Sequence, residues 1–573
     1  MPTRLQINFF FIVLLIYVGM AMHIVLPTPG GIGLYLSANI LGWIFISILL
    51  GIGLWQVTIK KQLLVSKFQQ LLGVGVFLLC IPFLYNNDVS YFAIPRILTM
   101  VAGFLLLLLL TQFQFTAKQK NILLICLLCG VFIEAVIGLV QLFILVPFEI
   151  DILGYTPLSG RPYGSFTQPN VMASFMATGI ALSLYLLLPM NITALFTLTS
   201  SQQDKSKKIV ALKKYFNYFT FSCLFFCALL LVTLQSKTGY LAGVLVLLLF
   251  TPSFIKNKQT YLRPFIVILV GIIVGMISMQ SPQQVDRGEG LYQDMHRSTM
   301  YKISGEIFIE KPLLGYGYGD FRQSYREFHI EKMKTNEGLS TPLDIIHPHN
   351  EILFWAVEGG IASLLGLFIF SYAYITLFKG MPMNTTLPLM MLITPILVHT
   401  QTEFPFYHSI IHYIYFIIFI WLAEQQTSDY NILKLNSSNL FKGLAMTIPL
   451  FTSIFMLTTL HTSIKMEQLK VNNYKNITDF NSIINVIAWQ DHIEVTLQTA
   501  LLKQGFEKNN PQALLDYIRW GNEFVKHSPN KNLYQNMILA IQTLESNKIT
   551  VDNKLKDDIY NGAVRLYPSF IKK

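Results

Sequence analysis

Charge is what this sequence has least of. Only 13% of its 573 residues are Asp, Glu, Lys or Arg, against about a quarter in an ordinary soluble protein. Hydrophobic residues make up 53%, and the mean hydropathy is +0.50. Such a balance excludes one large water-soluble core and points to surface that faces lipid. Cysteine is equally sparse. Cys80, Cys126, Cys129, Cys223 and Cys227 all lie inside apolar runs, which excludes a disulfide framework. Cys126 and Cys129 form a CxxC, but inside an apolar helix and without a second ligand pair, so they read as small packing residues. The net charge of +11 does not imply nucleic acid, because the lysines sit mostly in short loops between apolar runs and form no Arg-rich face interleaved with aromatics. The first apolar run follows a single Arg and lacks a small-residue cleavage site, so it reads as a span rather than a signal peptide.

What is present is a succession of apolar runs near the ~20 residues that a helix needs to cross a bilayer. They fall at 7–26, 38–59, 68–85, 92–113, 121–147, 170–190, 215–234, 239–255, 264–281, 350–378, 385–402, 409–424 and 443–461. With the N-terminus inside, the cytoplasmic loops hold seventeen Lys and Arg, while the short outer loops hold only Arg161 and Lys237. The positive-inside rule then sets an odd number of spans with the C-terminus outside. The expected fold is an all-α polytopic membrane protein of about thirteen transmembrane helices in a bacterial inner membrane. Five regions follow: transmembrane helices at 1–147; further transmembrane helices at 148–281, with an outer-loop motif at 160–170; a large periplasmic loop at 282–349; transmembrane helices at 350–461; and a periplasmic helical domain at 462–573. In that last region apolar residues recur at helical spacing (Ile483, Ile484, Ile487, Ala488; Leu514, Leu515, Ile518), with breaks at Asn509-Asn510-Pro511 and Ser528-Pro529-Asn530.

The outer loops contain residues that a linker does not need. Gly160-Arg161-Pro162-Tyr163-Gly164-Ser165-Phe166-Thr167-Gln168-Pro169-Asn170 brings a guanidinium and two amides to the start of a helix. Asn170 also suits a helix N-cap, a purely structural use; Gln168 has no such use. Lys237 stands in Gln235-Ser236-Lys237-Thr238-Gly239-Tyr240, between two spans. The turn Glu403-Phe404-Pro405-Phe406-Tyr407-His408 adds a carboxylate and a phenol. Glu134 at mid-span and Arg96 near an outer end are functional candidates or polar helix–helix contacts.

The long loop carries Arg287, His296, Arg297, Arg322 and Arg326 around Pro312-Leu313-Leu314-Gly315-Tyr316-Gly317-Tyr318-Gly319-Asp320-Phe321. Glycines spaced by two can bare backbone N–H groups to an anion or simply form a turn. It ends in His347-Pro348-His349-Asn350-Glu351, followed by Trp355, Glu358 and Gly359-Gly360. An imidazole there can act as a general base, hold a turn, or bind metal. The metal reading lacks further ligands at suitable spacing.

On these residues the chain resembles a family. SKTGY at 236–240, the Arg297 segment with PLLGYGYGDF, and HPHNEILFWAVEGG look like the core motifs of the O-antigen ligase superfamily. GSFTQPN at 164–170 and EFPFY at 403–407 resemble the pilin- and protein-glycosylating O-oligosaccharyltransferases (PglL type), which also carry a periplasmic C-terminal domain. The likeness covers nearly the whole chain from about 155 onward; the first five spans match only in being apolar. Relatives often have Arg where this chain has Lys237, which cannot grip a phosphate bidentately.

The resemblance implies en bloc transfer of an oligosaccharide from undecaprenyl diphosphate to a Ser or Thr hydroxyl of an exported protein such as pilin. It implies no cofactor and no metal. His349 is the implied base, with His347 and Asn350 beside it. Arg297, Arg161 and Lys237 would balance charge on the diphosphate, Gln168 and Tyr407 would hold sugar or diphosphate, and Asn170, Glu403 and Glu358 would support them. A lipopolysaccharide ligase or O-antigen polymerase would use the same residues on another acceptor. A lipid-linked sugar transporter would instead show internal repeats and midplane polar groups; apart from Glu134, the sequence lacks them.

Overall fold

A computed structural model describes residues 2–85, 87–152, 160–196, 206–279, 290–335, 345–474 and 476–567. Arg287 and Lys205 lie outside the described residues. In chain order the helices are α1 Pro2–Gly19, α2 Ser37–Lys60, α3 Lys67–Cys80, α4 Ile94–Gln112, α5 Ala117–Val140, α6 Val146–Phe148, α7 Pro169–Leu186 and α8 Pro189–Phe196. There follow α9 Ser206–Thr233, α10 Lys237–Lys256, α11 Lys258–Ser278, α12 Gly290–Glu310, α13 Phe321–Thr335, α14 Glu351–Thr376, α15 Met383–Thr400, α16 Pro405–His408, α17 Ile410–Glu424 and α18 Asn439–Val471. The last four are α19 Gln490–Glu507, α20 Pro511–His527, α21 Lys531–Ser546 and α22 Asn553–Leu566.

Among the described residues, eleven helical stretches are long and apolar enough to cross a membrane, so the chain is a multi-pass all-α membrane protein. The two remaining apolar runs of the sequence are also helices. α15 carries Pro388 and Pro395 in its interior, and α17 has only 15 residues, short of the ~20 that a straight crossing needs.

The chain divides into two compact units. The first comprises residues 1–77, 98–287 and 366–460. Its central helix is α7, in which every residue from Val171 to Leu186 is buried. Ala173, Ser174, Ala177, Gly179 and Ala181 keep that helix thin, so neighbouring backbones approach closely. A Cβ on Gly239 would stand 2.6 Å from that of Ala173. A small antiparallel ribbon pairs β1 Gln62–Ser66 with β2 Tyr430–Lys434, in register from Gln62↔Lys434 to Ser66↔Tyr430. It joins two loops that the charge count assigns to the same side.

The second unit comprises residues 78–97, 288–365 and 461–573. α13, α20, α21 and α22 enclose its core around Ile330, Tyr517, Ile518, Met537, Ile541 and Ile559. Asn510, Asn530 and Asp552 cap α20, α21 and α22 with their side chains, so the helices of the tail break where the Asn and Pro residues say they should. The stretch from Ile483 to Ala488 is not α-helical as its spacing predicts. It leaves one 3₁₀ turn, Ile477–Ser482, and runs into a second, Ile487–Trp489. Between them the Asn485 N–H donates to Thr462 Oγ1 (3.2 Å), which in turn donates to the Asn485 carbonyl (3.0 Å). Both backbone groups of Asn485 are thereby taken out of any helical ladder.

Candidate functional site

In the first unit, α5 and the turn that continues it build the motif at 160–170. Gln141 opens a π-helical turn, a distortion common at functional sites. Its side-chain oxygen accepts the N–H groups of Tyr163 (2.9 Å) and Gly164 (2.8 Å), and its amide donates to the Gly164 carbonyl (3.0 Å). Two turns earlier, fully buried Glu134 accepts the Ser165 N–H at 3.0 Å and the Ser165 hydroxyl at 2.5 Å, and lies 2.7 Å from His23 Nδ1. Gly164 has φ +62°, and a Cβ there would fall 2.3 Å from the Glu134 carboxylate. Only glycine lets the loop close on that anion. The mid-span carboxylate of the sequence is thus the strut of the motif.

The loop delivers its two amides to one acceptor. Gln168 Nε2 donates to Glu403 Oε2 at 3.0 Å, and Asn170 Nδ2 donates to Glu403 Oε1 at 2.6 Å. Asn170 is therefore not the N-cap of α7. Gln168 occupies the cap position without capping, because both side chains turn away from their own helix toward the carboxylate. Behind buried Glu403 a chain of polar groups continues. His399 Nε2 lies 3.4 Å away; His399 Nδ1 is 2.7 Å from Ser174 Oγ; Ser174 Oγ is 3.0 Å from His412 Nε2; and His412 Nδ1 is 2.8 Å from Ser409 Oγ.

Arg161 and Lys237 stand beside this network. Arg161 donates to the Leu234 carbonyl (3.3 Å), just ahead of the SKTGY turn. Exposed Lys237 opens α10 behind the Ser236 cap, and its neighbour Thr238 donates to Thr402 (2.9 Å), adjacent to Glu403. Tyr407 is half-buried in α16, its ring edge-on to Phe404.

In the second unit the HPHN turn is tightly held. His347 is buried, and its Nδ1 accepts the His349 N–H at 3.0 Å. In a neutral ring that places the proton on Nε2, which lies 3.7 Å from Glu351. His349 has φ +60°, a left-handed conformation uncommon outside glycine, and its carbonyl accepts the Tyr301 hydroxyl at 3.1 Å. Asn350 caps α14 through a 3.0 Å bond from the Leu353 N–H. Arg297 lies on α12 one turn before Tyr301, hence on the same helix face, and is half-buried.

The glycine-rich run wraps a break in α14. Gly360 adopts φ 58° and ψ −147°, and the run bonds to the backbone exposed there: Tyr316 N–H to Val357 O (2.9 Å), Gly317 N–H to Glu358 O (2.8 Å), and Ile361 N–H to Leu313 O (3.2 Å). A Cβ on Gly315 would lie 2.5 Å from the Glu358 carbonyl. The bared N–H groups do meet an anion, but an internal one. Gly319 and Phe321 donate to Glu358 Oε1 at 3.1 and 3.2 Å, while Arg96 binds its other oxygen at 2.5 Å. The Arg96 guanidinium lies 4.3 to 4.7 Å from the rings of Trp355, Phe354 and Tyr318, a desolvated cation–π box. Burial pushes the neighbouring Asp320 carboxyl up to about 6, with Glu358 and Glu327 adding to the rise.

The structure thus joins Gln168, Asn170 and Glu403 directly, with Arg161 and Lys237 at adjoining positions. Separately it joins His347, His349 and Asn350, with the Arg297 helix against them. Glu358 belongs to a third cluster. Among the described residues no three His, Cys, Asp or Glu side chains converge as metal ligands. Sequence reasoning missed His399, Ser174, His412 and His23. The four-residue spacing of His399 and Glu403, and a histidine inside an apolar run at 412, were signals that could have found two of them.

Three family models match the chain. One described as O-antigen ligase covers residues 222–369, and so includes Lys237, Arg297, the glycine run and His349. One described as protein glycosylation ligase covers 162–187, the segment that carries Gln168, Asn170 and Ser174. The third, described as the C-terminal part of a virulence factor membrane-bound polymerase, covers 387–548, including His399 and Glu403. No curated protein matches the chain.

Proposed function

We propose, from the premise that this chain belongs to the O-antigen ligase superfamily as a PglL-like member, that it transfers an oligosaccharide en bloc from undecaprenyl diphosphate to Ser or Thr hydroxyls of exported proteins such as pilin. It works in the inner membrane, on the periplasmic side. The acceptor oxygen attacks the anomeric carbon while its proton passes to His349, and the carbon–oxygen bond to the lipid diphosphate breaks with its electrons on the diphosphate. Arg297, with Arg161 and Lys237, balances that charge. Gln168 and Tyr407 hold sugar or diphosphate.

One observation carries the choice of a protein acceptor. The short protein-glycosylation match falls on the loop that Glu134 and Gln141 build and whose two amides end on Glu403. The left-handed turn at His349, held through His347 and Tyr301, supports an imidazole kept in a defined position. The test is deletion of the gene, followed by intact-mass measurement of pilin and gel analysis of lipopolysaccharide. Pilin should lose its glycan mass with lipopolysaccharide banding unchanged. The polymerase-type match over 387–548 favours a second reading, ligase or polymerase activity on a polysaccharide acceptor. Altered banding with unchanged pilin mass would establish that reading instead.

A further inference from the structure

We propose that the elbow at residues 309–314, where α12 ends and the glycine-rich run begins, is an interfacial anchor that dips into the lipid boundary beside α14. Ile309, Leu313 and Leu314 are 73%, 70% and 61% exposed. Single exposed aliphatics need no explanation, but three within six residues, across the end of α12 and the turn after it, form a patch whose burial would be favourable.

What covers them follows from the helix they lean on. The Leu313 carbonyl accepts the Ile361 N–H at 3.2 Å, and a Cβ on Gly360 would meet that carbonyl at 2.5 Å. From Ile361 onward α14 has no charged residue through Thr376. Its exposed large apolar residues Ile361, Leu365, Phe368, Tyr372 and Ile375 recur at alternate spacings of four and three, which puts them on one stripe. The helical residues 361–376 extend ~24 Å at 1.5 Å per residue, less than a hydrocarbon core of ~30 Å, so the core reaches back to Gly360 even where the bilayer thins locally. The lipid surface therefore begins at Gly360, and the elbow is pinned there, continuous with the stripe. Exposed Lys311, its amine 4.0 Å over the Tyr316 ring, sits where an interfacial cation meets lipid phosphates. Lipid, rather than a protein partner, is the occupant this continuity selects. The anchor sets the depth of the glycine-rich run and of the α14 break. The proposal rests on membrane embedding and is independent of the transfer reaction.

Leu313→Cys and Leu314→Cys in the full chain, labelled with an environment-sensitive fluorophore in nanodiscs, test it. Labelled wild type supplies the background from native cysteines, and Lys508→Cys in the exposed turn after α19 serves as the aqueous reference. Emission at 313 and 314 should be blue-shifted, and quenched several-fold more than at 508 by lipids with a shallow nitroxide. Aqueous emission without lipid quenching would overturn the proposal. Shielding from iodide without lipid quenching would overturn it too, in favour of a protein partner. Because the labelled variants could fold poorly, unmodified protein should also be irradiated with a diazirine-bearing lipid. Adducts are expected on 309–314, and adducts on 361–375 with none on 309–314 would overturn the proposal equally.

Discussion

Asn170 Nδ2 donates to Glu403 Oε1 across 2.6 Å, although 233 residues separate them. Gln168 occupies the other oxygen of the same carboxylate, and His399 stands behind it. The arrangement is sensitive to charge as well as to shape. Asn170→Ala removes one donor and should lower transfer moderately. Asn170→Asp faces Glu403 with a second carboxylate and should lower it much further. Glu403→Ala strands two amides at about 1–3 kcal/mol each, and the resulting slack in the loop should reduce transfer about 10²-fold. Single-turnover transfer at matched expression measures all three; equal activity of the Ala and Asp variants at 170 would remove Glu403 as their partner.

Base and binder separate at the HPHN turn. His349→Ala should abolish transfer while leaving donor binding nearly intact, since loss of a general base costs about 10²–10⁴-fold in rate. Arg297→Ala should weaken donor binding and turnover together. His347→Ala removes the acceptor that holds the His349 N–H, so it should cost thermal stability and a smaller part of the rate. Normal transfer by His349→Ala with a dead His347→Ala would move the base to His347.

The Arg96 and Glu358 side chains are only 8% and 2% exposed, and both oxygens of the carboxylate are hydrogen-bonded. Removing either partner should destabilise the protein by about 3–5 kcal/mol, whereas replacing both with Met and Leu should recover much of that loss. Thermal unfolding of purified protein gives the double-mutant cycle. A Glu358→Gln protein with wild-type unfolding but no transfer would reveal a chemical role that the cluster does not require.

Asp320 supplies the pH dependence. Its carboxyl is raised from 3.8 to about 6, first by burial, so the folded state holds the proton more tightly than the unfolded state between those values. The contribution to stability is therefore greatest at acidic pH, falls as pH rises through that window, and is level above it. Asp320→Asn should flatten the melting temperature between about pH 4 and 6 relative to wild type. An identical pH profile in the variant would exclude Asp320 as the group responsible.

Topology is tested by phosphatase fusions. A fusion after residue 300, or at the C-terminus, should be active, and one near Lys207 inactive. A cytoplasmic C-terminus would overturn both the odd number of spans and a site on one side of the membrane.

Much of this was legible in linear order. Every apolar run became a helix, and the tail broke at its Asn and Pro residues, because span length, capping and proline geometry are local constraints. The family motifs were legible for a related reason: a site that presents fixed groups to a ligand keeps them in short contiguous strings such as HPHN. The stretch at 483–488 failed because one long-range pair with Thr462 outweighed a local spacing.

The sequence by itself determined the membrane class, the helical segments, and the candidate residues as members of separate motifs. Only the tertiary structure decided their partners. It turned Asn170 from a helix cap into a donor to Glu403, and it turned the glycine run from a cradle for a foreign anion into a clasp around Glu358 and a broken helix. It also threaded His399, Ser174 and His412 into one line. In each case a buried polar group had to find a complement away from water, and that complement lay hundreds of residues away or on a helix whose rotation no local pattern records.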